Sequence, residues 1–528
     1  YAPLRSIPKF KELYEIQKNK SKVEEIEPPE KEDMSFKEVV YSSPIAKENL
    51  MSMDCVAIAK YLLSFKGQGR RGWNEGPTKQ GLADALKSVV EEQPEKFVDG
   101  LGAFDNTSYL YVYYILGGIK AAWNKKKAFD WGKLLKFLNK YISTPEFWEN
   151  ARQEQGEDWQ VTHVWIINDI ADLIQDGTRD DSWAFDEKHF PAANAILSLI
   201  IQSLEVSKDQ KVSNDAPTHV LNSSWGRTII SLILFGLRKG RVSNKQNLEK
   251  EINWGKNNYE ILFQKNVIEA YIIFGQYMAN LAYLDRGWLE AKIRSLESFE
   301  AADYRWQMFM EGYVFGGNVY TDLYDLMRNH YIKAIQGRLG TAHDKERAVE
   351  KVNDRLVQHI AIGYLRGKED LDSEKSLFGM VLNQWRYDDL QEIISFFWSQ
   401  REYIVRNKQT DERSQKSSES MLSFWEYFYK NKETIAQRID QNYPELLSKL
   451  SFLTILLDRI DSKTFEWLKL SAPYVGHGYN ESFFVEYLDR FEDKDSVEYV
   501  GRIFKEMLAH RIMPIFQKEH VQNIIKKM

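Results

Sequence analysis

Phosphate binding is the first chemistry the residues raise. In "GQGRRGWNEGPTKQG", residues 67–81, five glycines and three basic side chains fall within fifteen positions. A phosphate-cradling loop needs four residues between two glycines, followed by Lys and Ser or Thr. Backbone amides wrap the phosphates, the ammonium reaches the outer ones and the hydroxyl holds Mg²⁺. Gly67 and Gly72 have that spacing but lead into Trp73-Asn74, and Gly76 and Gly81 lead into Leu82-Ala83. Both frames lack the two residues that do the electrostatic work, and the preceding Met53–Phe65 stretch reads as helix rather than strand. The segment is better taken as a connection, or as a partner-facing loop with Arg70, Arg71 and Trp73 at its tip.

Other chemistries find less support. The nine histidines are scattered without H-E-x-x-H or C-x-x-C, and His510 and His520 are ten apart, off one helical face. Asp285, Glu290 and Lys292 imitate a nuclease D…E-x-K, but that motif needs a sheet to converge its carboxylates and this stretch reads as helix. Asp388 and Asp389 in "RYDDL" read as a solvated helix start. No G-x-S-x-G occurs. Cys55, the one cysteine, lies on an apolar helical pattern and reads as buried filler in a reducing, cytosolic setting. No catalytic residue, metal or cofactor is expected in this chain.

The elements that would carry any site are helical. Proline is scarce at 13 residues, and no sustained period-two strands with hairpin signals appear. Leu82, Leu86, Val89 and Val90 form one apolar stripe. Leu446, Leu450, Leu453 and Leu457 repeat the spacing, as do Phe484, Tyr487, Leu488 and Phe491. Ser43-Pro44 and Thr144-Pro145 read as helix starts, and Ser35/Glu38 and Asp495/Glu498 as capping boxes. The apolar runs "AILSLIIQSL" and "TIISLILFGL" are about half the length of a bilayer span. The pattern from Val267 to Leu284 is interrupted by Glu269, Gln276 and Asn280. These read as core helices of a soluble, non-membrane chain.

Length then selects an architecture. A closed bundle of 528 residues would bury its loops, whereas stacked pairs extend indefinitely by burying each face on a neighbour. The expected fold is all-α, an elongated α-solenoid of irregular, degenerate HEAT/TPR-like pairs, about a dozen at ~40 residues each. Residues 1–40 read as an N-terminal arm or linker, 41–405 as helical repeats, 406–420 as a polar loop and 421–528 as C-terminal helical repeats. The chain opens at Tyr1 rather than a methionine, which leads us to expect part of a longer polypeptide or a processed chain. A net charge of −6 without a basic stripe argues against nucleic acid. Lys125-Lys126-Lys127 reads as a solvated helix end.

Aromatic groups at helix edges suggest a partner surface, because such side chains bury area at small entropic cost. Trp159, Trp165, Tyr474, His477 and Tyr479 are the candidates, in "DWQVTHVWIIND" and "APYVGHGYNESFF".

The stretch "FLTILLDRIDSKTFEWLKLSAPYVGHGYNESFFVEYLDRFEDKDSVEYVGRIFKEML" resembles the C-terminal helical repeats of bacterial antiviral STAND NTPases. "SSPIAKENLMSMDCVAIAKYLLSF" and "EGPTKQGLADALKSVVEEQPEKF" are similar to helical regions of the same proteins. The resemblance implies a sensor that binds a phage protein, such as a portal or terminase, and signals to an upstream effector and NTPase by oligomerisation. Neither effector nor Walker motif is present in this sequence. An intracellular scaffold holding constitutive host proteins is the alternative.

Overall fold

A computed structural model describes residues 42–67, 76–153, 160–212, 215–245, 254–340, 346–371, 374–476, 480–514 and 516–528. Those residues are all-helical. They contain no β-strand, only an isolated parallel bridge between Ser42 and Pro77.

The longer helices begin with α1 (Cys55–Ser64), α2 (Lys79–Glu92), α3 (Tyr109–Asn124), α4 (Trp131–Ile142), α5 (His163–Arg179), α6 (Phe190–Ser203) and α7 (Ser224–Lys245). The middle holds α8 (Lys256–Gln264), α9 (Ile268–Gln276), α10 (Arg286–Leu296), α11 (Tyr304–Phe315), α12 (Arg328–Gly337), α13 (Glu346–Leu365) and α14 (Tyr387–Asn407). The chain finishes with α15 (Glu412–Lys430), α16 (Lys432–Ile439), α17 (Tyr443–Leu450), α18 (Ser462–Ser471), α19 (Glu481–Leu488), α20 (Lys494–Ala509) and α21 (Lys518–Lys527).

Their packing follows chain order. Helix α2 lies on α3, α3 on α5, α5 on α7, α7 on α9, α9 on α11, α11 on α13, α13 on α14 and α14 on α17. A second sequence runs beside it, with α4 on α6 and α6 on α8, and near the end α18 packs on α20 and α20 on α21. One continuous apolar core, from Leu50 to Ile524, fills the space between. Leu82, Leu86, Val89 and Val90 are all fully buried in it, and Cys55 lies at its edge. The stripes at 446–457 and 484–491 are buried as well, although the first passes from α17 into a 3₁₀ turn at Ser451–Leu456.

Close approach of neighbouring backbones sets the spacing of the row. A Cβ on Gly312 of α11 would stand 2.0 Å from the Ile272 carbonyl oxygen of α9. One on Gly275 of α9 would stand 2.2 Å from the Phe309 oxygen of α11. Only glycine at both positions lets these helices cross in backbone contact.

Several helix starts are marked by a side-chain cap. Asp54, Thr78, Asp130, Asp285, Asp303 and Asp461 each accept a backbone N–H from the first turn of their helix. Several sequence expectations need correction. Ser43 closes a local turn, its Oγ accepting from the Ile45 N–H, and the helix starts later, at Lys47. Thr144-Pro145 does open a helix, with no side-chain cap bond. The cap of α20 is Asp493, which accepts from Ser496; Asp495 is already in its first turn. Ser35 and Glu38 lie outside the described residues. The polar stretch 406–420 is not a loop: it is the end of α14, a short turn and the first half of α15. Asp411 caps α15, and Ser414 and Ser418 are buried in line with Met421, Trp425 and Phe428. Two serines thus occupy core positions of an amphipathic stripe, which hides the helix from a hydrophobicity reading.

Gly312→Ala is expected to push α9 and α11 apart and cost about 1–3 kcal/mol or more. Gly102→Ala, where a Cβ would meet nothing within 4 Å, serves as the neutral control. Thermal unfolding of the two variants checks this.

Candidate recognition face

Where α3, α5 and α7 lie side by side, their partly exposed edges carry aromatic and charged groups at helical spacing. Helix α5 supplies Trp165, Asp169, Asp172 and Asp176 on one stripe. Tyr113 and Lys120 project from α3, and Arg227 from α7. The rings of Tyr113 and Trp165 meet edge to face with centroids 5.5 Å apart. Lys120 Nζ donates to Asp169 Oδ1 at 2.9 Å and to Asp172 Oδ2 at 3.0 Å, and Arg227 Nη1 reaches the same Asp172 oxygen at 2.8 Å. One turn further along, Asp181 receives Arg238 at 2.7 Å and Arg241 at 3.0 Å.

This seam is electrostatically loaded. Asp169 is only 6% exposed. Burial raises the Asp169 carboxyl above the usual range, and Lys120 offsets this only in part. Burial raises Asp176 as well. For Lys120, burial opposes the charge, but Asp169 and Asp172 more than reverse that and hold the ammonium above its ordinary value. The lysine is therefore charged at neutral pH.

Several buried polar atoms here have no hydrogen-bond partner: Asn168 Oδ1 and Asp169 Oδ2 on α5, and Arg227 Nε, Ser231 Oγ and Arg238 Nε on α7. Each such atom costs about 1–3 kcal/mol when left unmatched. These atoms are shielded from solvent, so a partner at the surface could reach them only if α5 and α7 shifted.

Unmatched buried atoms also occur elsewhere, at Trp131 Nε1, Trp254 Nε1 and Ser471 Oγ among others, but several buried polar groups outside the seam are fully engaged. The fully buried Glu369 accepts from Tyr324 at 3.0 Å, Arg328 at 2.9 Å, Ser376 at 3.0 Å and the Leu377 N–H at 2.6 Å. His330 donates from Nε2 to the Ile293 carbonyl, and its Nδ1 accepts from the Trp306 indole, both at 3.0 Å. His359 bonds the Val314 carbonyl, and its Nδ1 accepts from Tyr331, whose hydroxyl also meets Tyr313. Burial lowers both imidazoles to about 4, so they are neutral and locked in one tautomer. Glu311 accepts from the Ala216 N–H and Glu269 faces His219. These contacts tie helix to helix.

A second cluster gathers the partly exposed Trp398 of α14, Phe452 of the 3₁₀ turn and Phe483 of α19 with the buried Tyr487 of α19. Trp398 stacks on Phe452 at 4.8 Å, and the Arg401 guanidinium lies 3.9 Å from the centre of the Trp398 ring. Sequence reading passed over this cluster. Its one local signal is Trp398 and Arg401 at i, i+3; the other rings come from 54 to 89 residues away.

Of the sequence candidates, Trp165 falls within the seam, and Tyr474 sits half-buried in a 3₁₀ turn against the core. Burial and the neighbouring Tyr474 push the Tyr443 phenol up to about 12. Arg70, Arg71, Trp73, Trp159, His477 and Tyr479 lie outside the described residues. The ends of the glycine-rich segment are described. Gly67 and Gly76 both have positive φ, and Ser42 pairs with Gly76 and Thr78 to hold the downstream end. Asp285 caps α10 while paired to Lys256, Glu290 binds Arg286 and Lys292 binds Glu260. The three residues of the nuclease-like pattern are thus separately engaged. Asp389, expected to be solvated, is buried and held by Arg338 at 2.8 Å, while Asp388 is exposed. Among the described residues no three His, Cys, Asp or Glu side chains gather as a metal site.

No protein-family model, curated protein or solved structure matches the chain. No single described helix is long and apolar enough to cross a membrane. One pair, Ala216–Asn222 with Ser224–Asn244, passes on length and composition but is bent by 89°.

Two outcomes follow. In the unfolded chain His330 and His359 titrate near 6.5, but in the fold they titrate near 4. Between those values the unfolded state binds more protons, so stability falls as pH drops from 6.5 towards 4, by on the order of 3 kcal/mol per histidine. Urea unfolding across that range checks this, and His359→Phe should flatten part of the slope. Lys120→Met leaves Asp169 buried without its cation and is expected to cost about 1–3 kcal/mol, discounted for the partial exposure of the lysine. Chemical denaturation measures it.

Proposed function

We propose that this chain is a non-catalytic helical-repeat recognition module, with its helices arranged as a solenoid, that binds a folded protein. The observation that carries the reading is the α3–α5–α7 seam. There, three consecutive members of the helix row present Tyr113, Trp165, Lys120, Asp172 and Arg227 together, with unmatched polar atoms beneath them. Rigid aromatic anchors beside ionised groups are the features that concentrate binding energy at protein interfaces. Chain-order packing supports the solenoid, because each helix finds its principal burial on the next.

The ligand is proposed to be a phage protein, and the context antiviral defence, in keeping with the resemblance of the 452–508 stretch to STAND NTPase sensors. Binding across several repeats would shift the curvature of the row, and an upstream effector or NTPase domain would read that shift.

Capture from phage-infected and uninfected bacterial cells tests this, followed by titration calorimetry with the captured protein. A phage protein retained only from infected cells is expected, with Trp165→Ala plus Arg227→Ala weakening it at least tenfold, about 1.4 kcal/mol. Retention of constitutive host proteins alone, or equal affinity of the double variant, would defeat the proposal.

A further inference from the structure

Exposed apolar and cationic side chains are concentrated in the last described helices. Twelve large hydrophobic side chains are exposed among the described residues, and five of them fall between Leu508 and Met528: Leu508, Met513, Phe516, Ile525 and Met528. Phe516 is 81% exposed and Met513 66%. The same 21 residues hold Arg511, Lys518, Lys526 and Lys527 against one acidic residue, Glu519, in a chain whose net charge is −6. Lys527 and His520 are engaged by Asp489. Arg511, Lys518 and Lys526 are exposed and form no ion pair among the described residues.

The complementary group is in the same sequence. "EEIEPPEKED", residues 24–33, carries six acidic residues and one lysine, so it holds nearly all of the net negative charge, with Ile26 among the carboxylates. Reach decides whose cap it meets. Residues 24–33 lie 9 to 18 positions before Ser42, a span of at most about 30–60 Å when extended. Nine helices from α2 to α17, spaced ~8–10 Å apart, already run about 70 Å, with α18 to α21 still beyond. The distance argument rests on the row geometry proposed above; the charge complementarity does not.

We propose that the 508–528 cap docks the acidic 24–33 segment of a second copy of this chain, head to tail. Ile26 would meet the surface around Phe516, and the carboxylates would meet Arg511, Lys518 and Lys526. Such a contact is heterologous, so each copy keeps a free cap and a free segment and association can propagate.

The test is sedimentation velocity of the full chain over a concentration series, at low salt and at ~0.5 M salt, where charge pairing is screened. Mass that rises with concentration at low salt and falls back to monomer at high salt is expected. Glu24→Lys/Glu25→Lys/Glu27→Lys and Lys518→Glu/Lys526→Glu should each weaken association at least tenfold. An equimolar mixture of those two variants should restore association, because the unchanged acidic segment of one meets the unchanged cationic stretch of the other and the reversed charges attract in the second contact. Phe516→Asp should abolish association without moving the unfolding midpoint, since the side chain is exposed.

A concentration-independent monomer would overturn the proposal, as would association indifferent to charge reversal. Hydrogen-exchange protection of residues 24–33 that persists on dilution would mean the segment docks on its own chain. Co-sedimentation with phosphatidylserine vesicles by a chain that stays monomeric would assign the cap to a lipid surface. Either result sinks the head-to-tail contact. None of these readouts involves Trp165 or Arg227, so failure here leaves the seam untouched, and failure of the seam leaves the cap.

Discussion

Each helix in the row must find its burial on the helices next to it, and this forces neighbouring backbones together. The crossing of α9 and α11 is the clearest case, with Gly275 and Gly312 each facing a carbonyl of the other helix. The α2–α3 contact repeats the device, since a Cβ on Gly118 would stand 2.7 Å from the Lys87 carbonyl oxygen and from Val90 Cβ. At Gly226 a Cβ would stand 1.9 Å from the Val220 oxygen, so the short helix Ala216–Asn222 turns tightly into α7. Without these contacts the row would loosen, and the edges of α3, α5 and α7 would not form one surface.

Close stacking also decides the fate of polar groups. A carboxylate carried into a three-helix junction loses water and must find partners there. At Glu369 it does so completely, with a tyrosine, an arginine, a serine and a backbone amide around it. His330 and His359 are likewise satisfied, as neutral rings in fixed tautomers. The α3–α5–α7 seam is different. Lys120 bridges two aspartates, yet one oxygen of Asp169 and the Nε of both Arg227 and Arg238 remain unmatched. Unmatched buried atoms occur at other places too, such as Trp131, Trp254 and Ser471, but those of the seam lie among the helices that also carry the half-exposed Tyr113 and Trp165.

The all-helical character was legible because apolar stripes such as Leu82–Val90 and Phe484–Phe491 keep helical spacing; of the starts read from the sequence, Thr144-Pro145 opens a helix, whereas Ser43 and Asp495 do not cap one. Where the reading failed, a polar side chain had taken a core role. Ser414 and Ser418 hid the first half of α15, and Asp389 hid a buried ion pair behind an ordinary helix start. The seam was legible only at Trp165, because Lys120, Asp169, Asp172 and Arg227 come from helices about fifty residues apart and look like solvent-facing charge when read singly. The Trp398 cluster was hidden for the same reason: its rings assemble only when α14 meets α19.

Neighbour-by-neighbour stacking is the claim on which the seam, the cap and their separation all depend, and solution scattering tests it most directly. A compact domain of this length would have a radius of gyration of about 24 Å. The account predicts a value of about 30 Å or more for the monomer at high salt, with a pair-distance distribution skewed to long distances. A value near 24 Å with a symmetric distribution would contradict it.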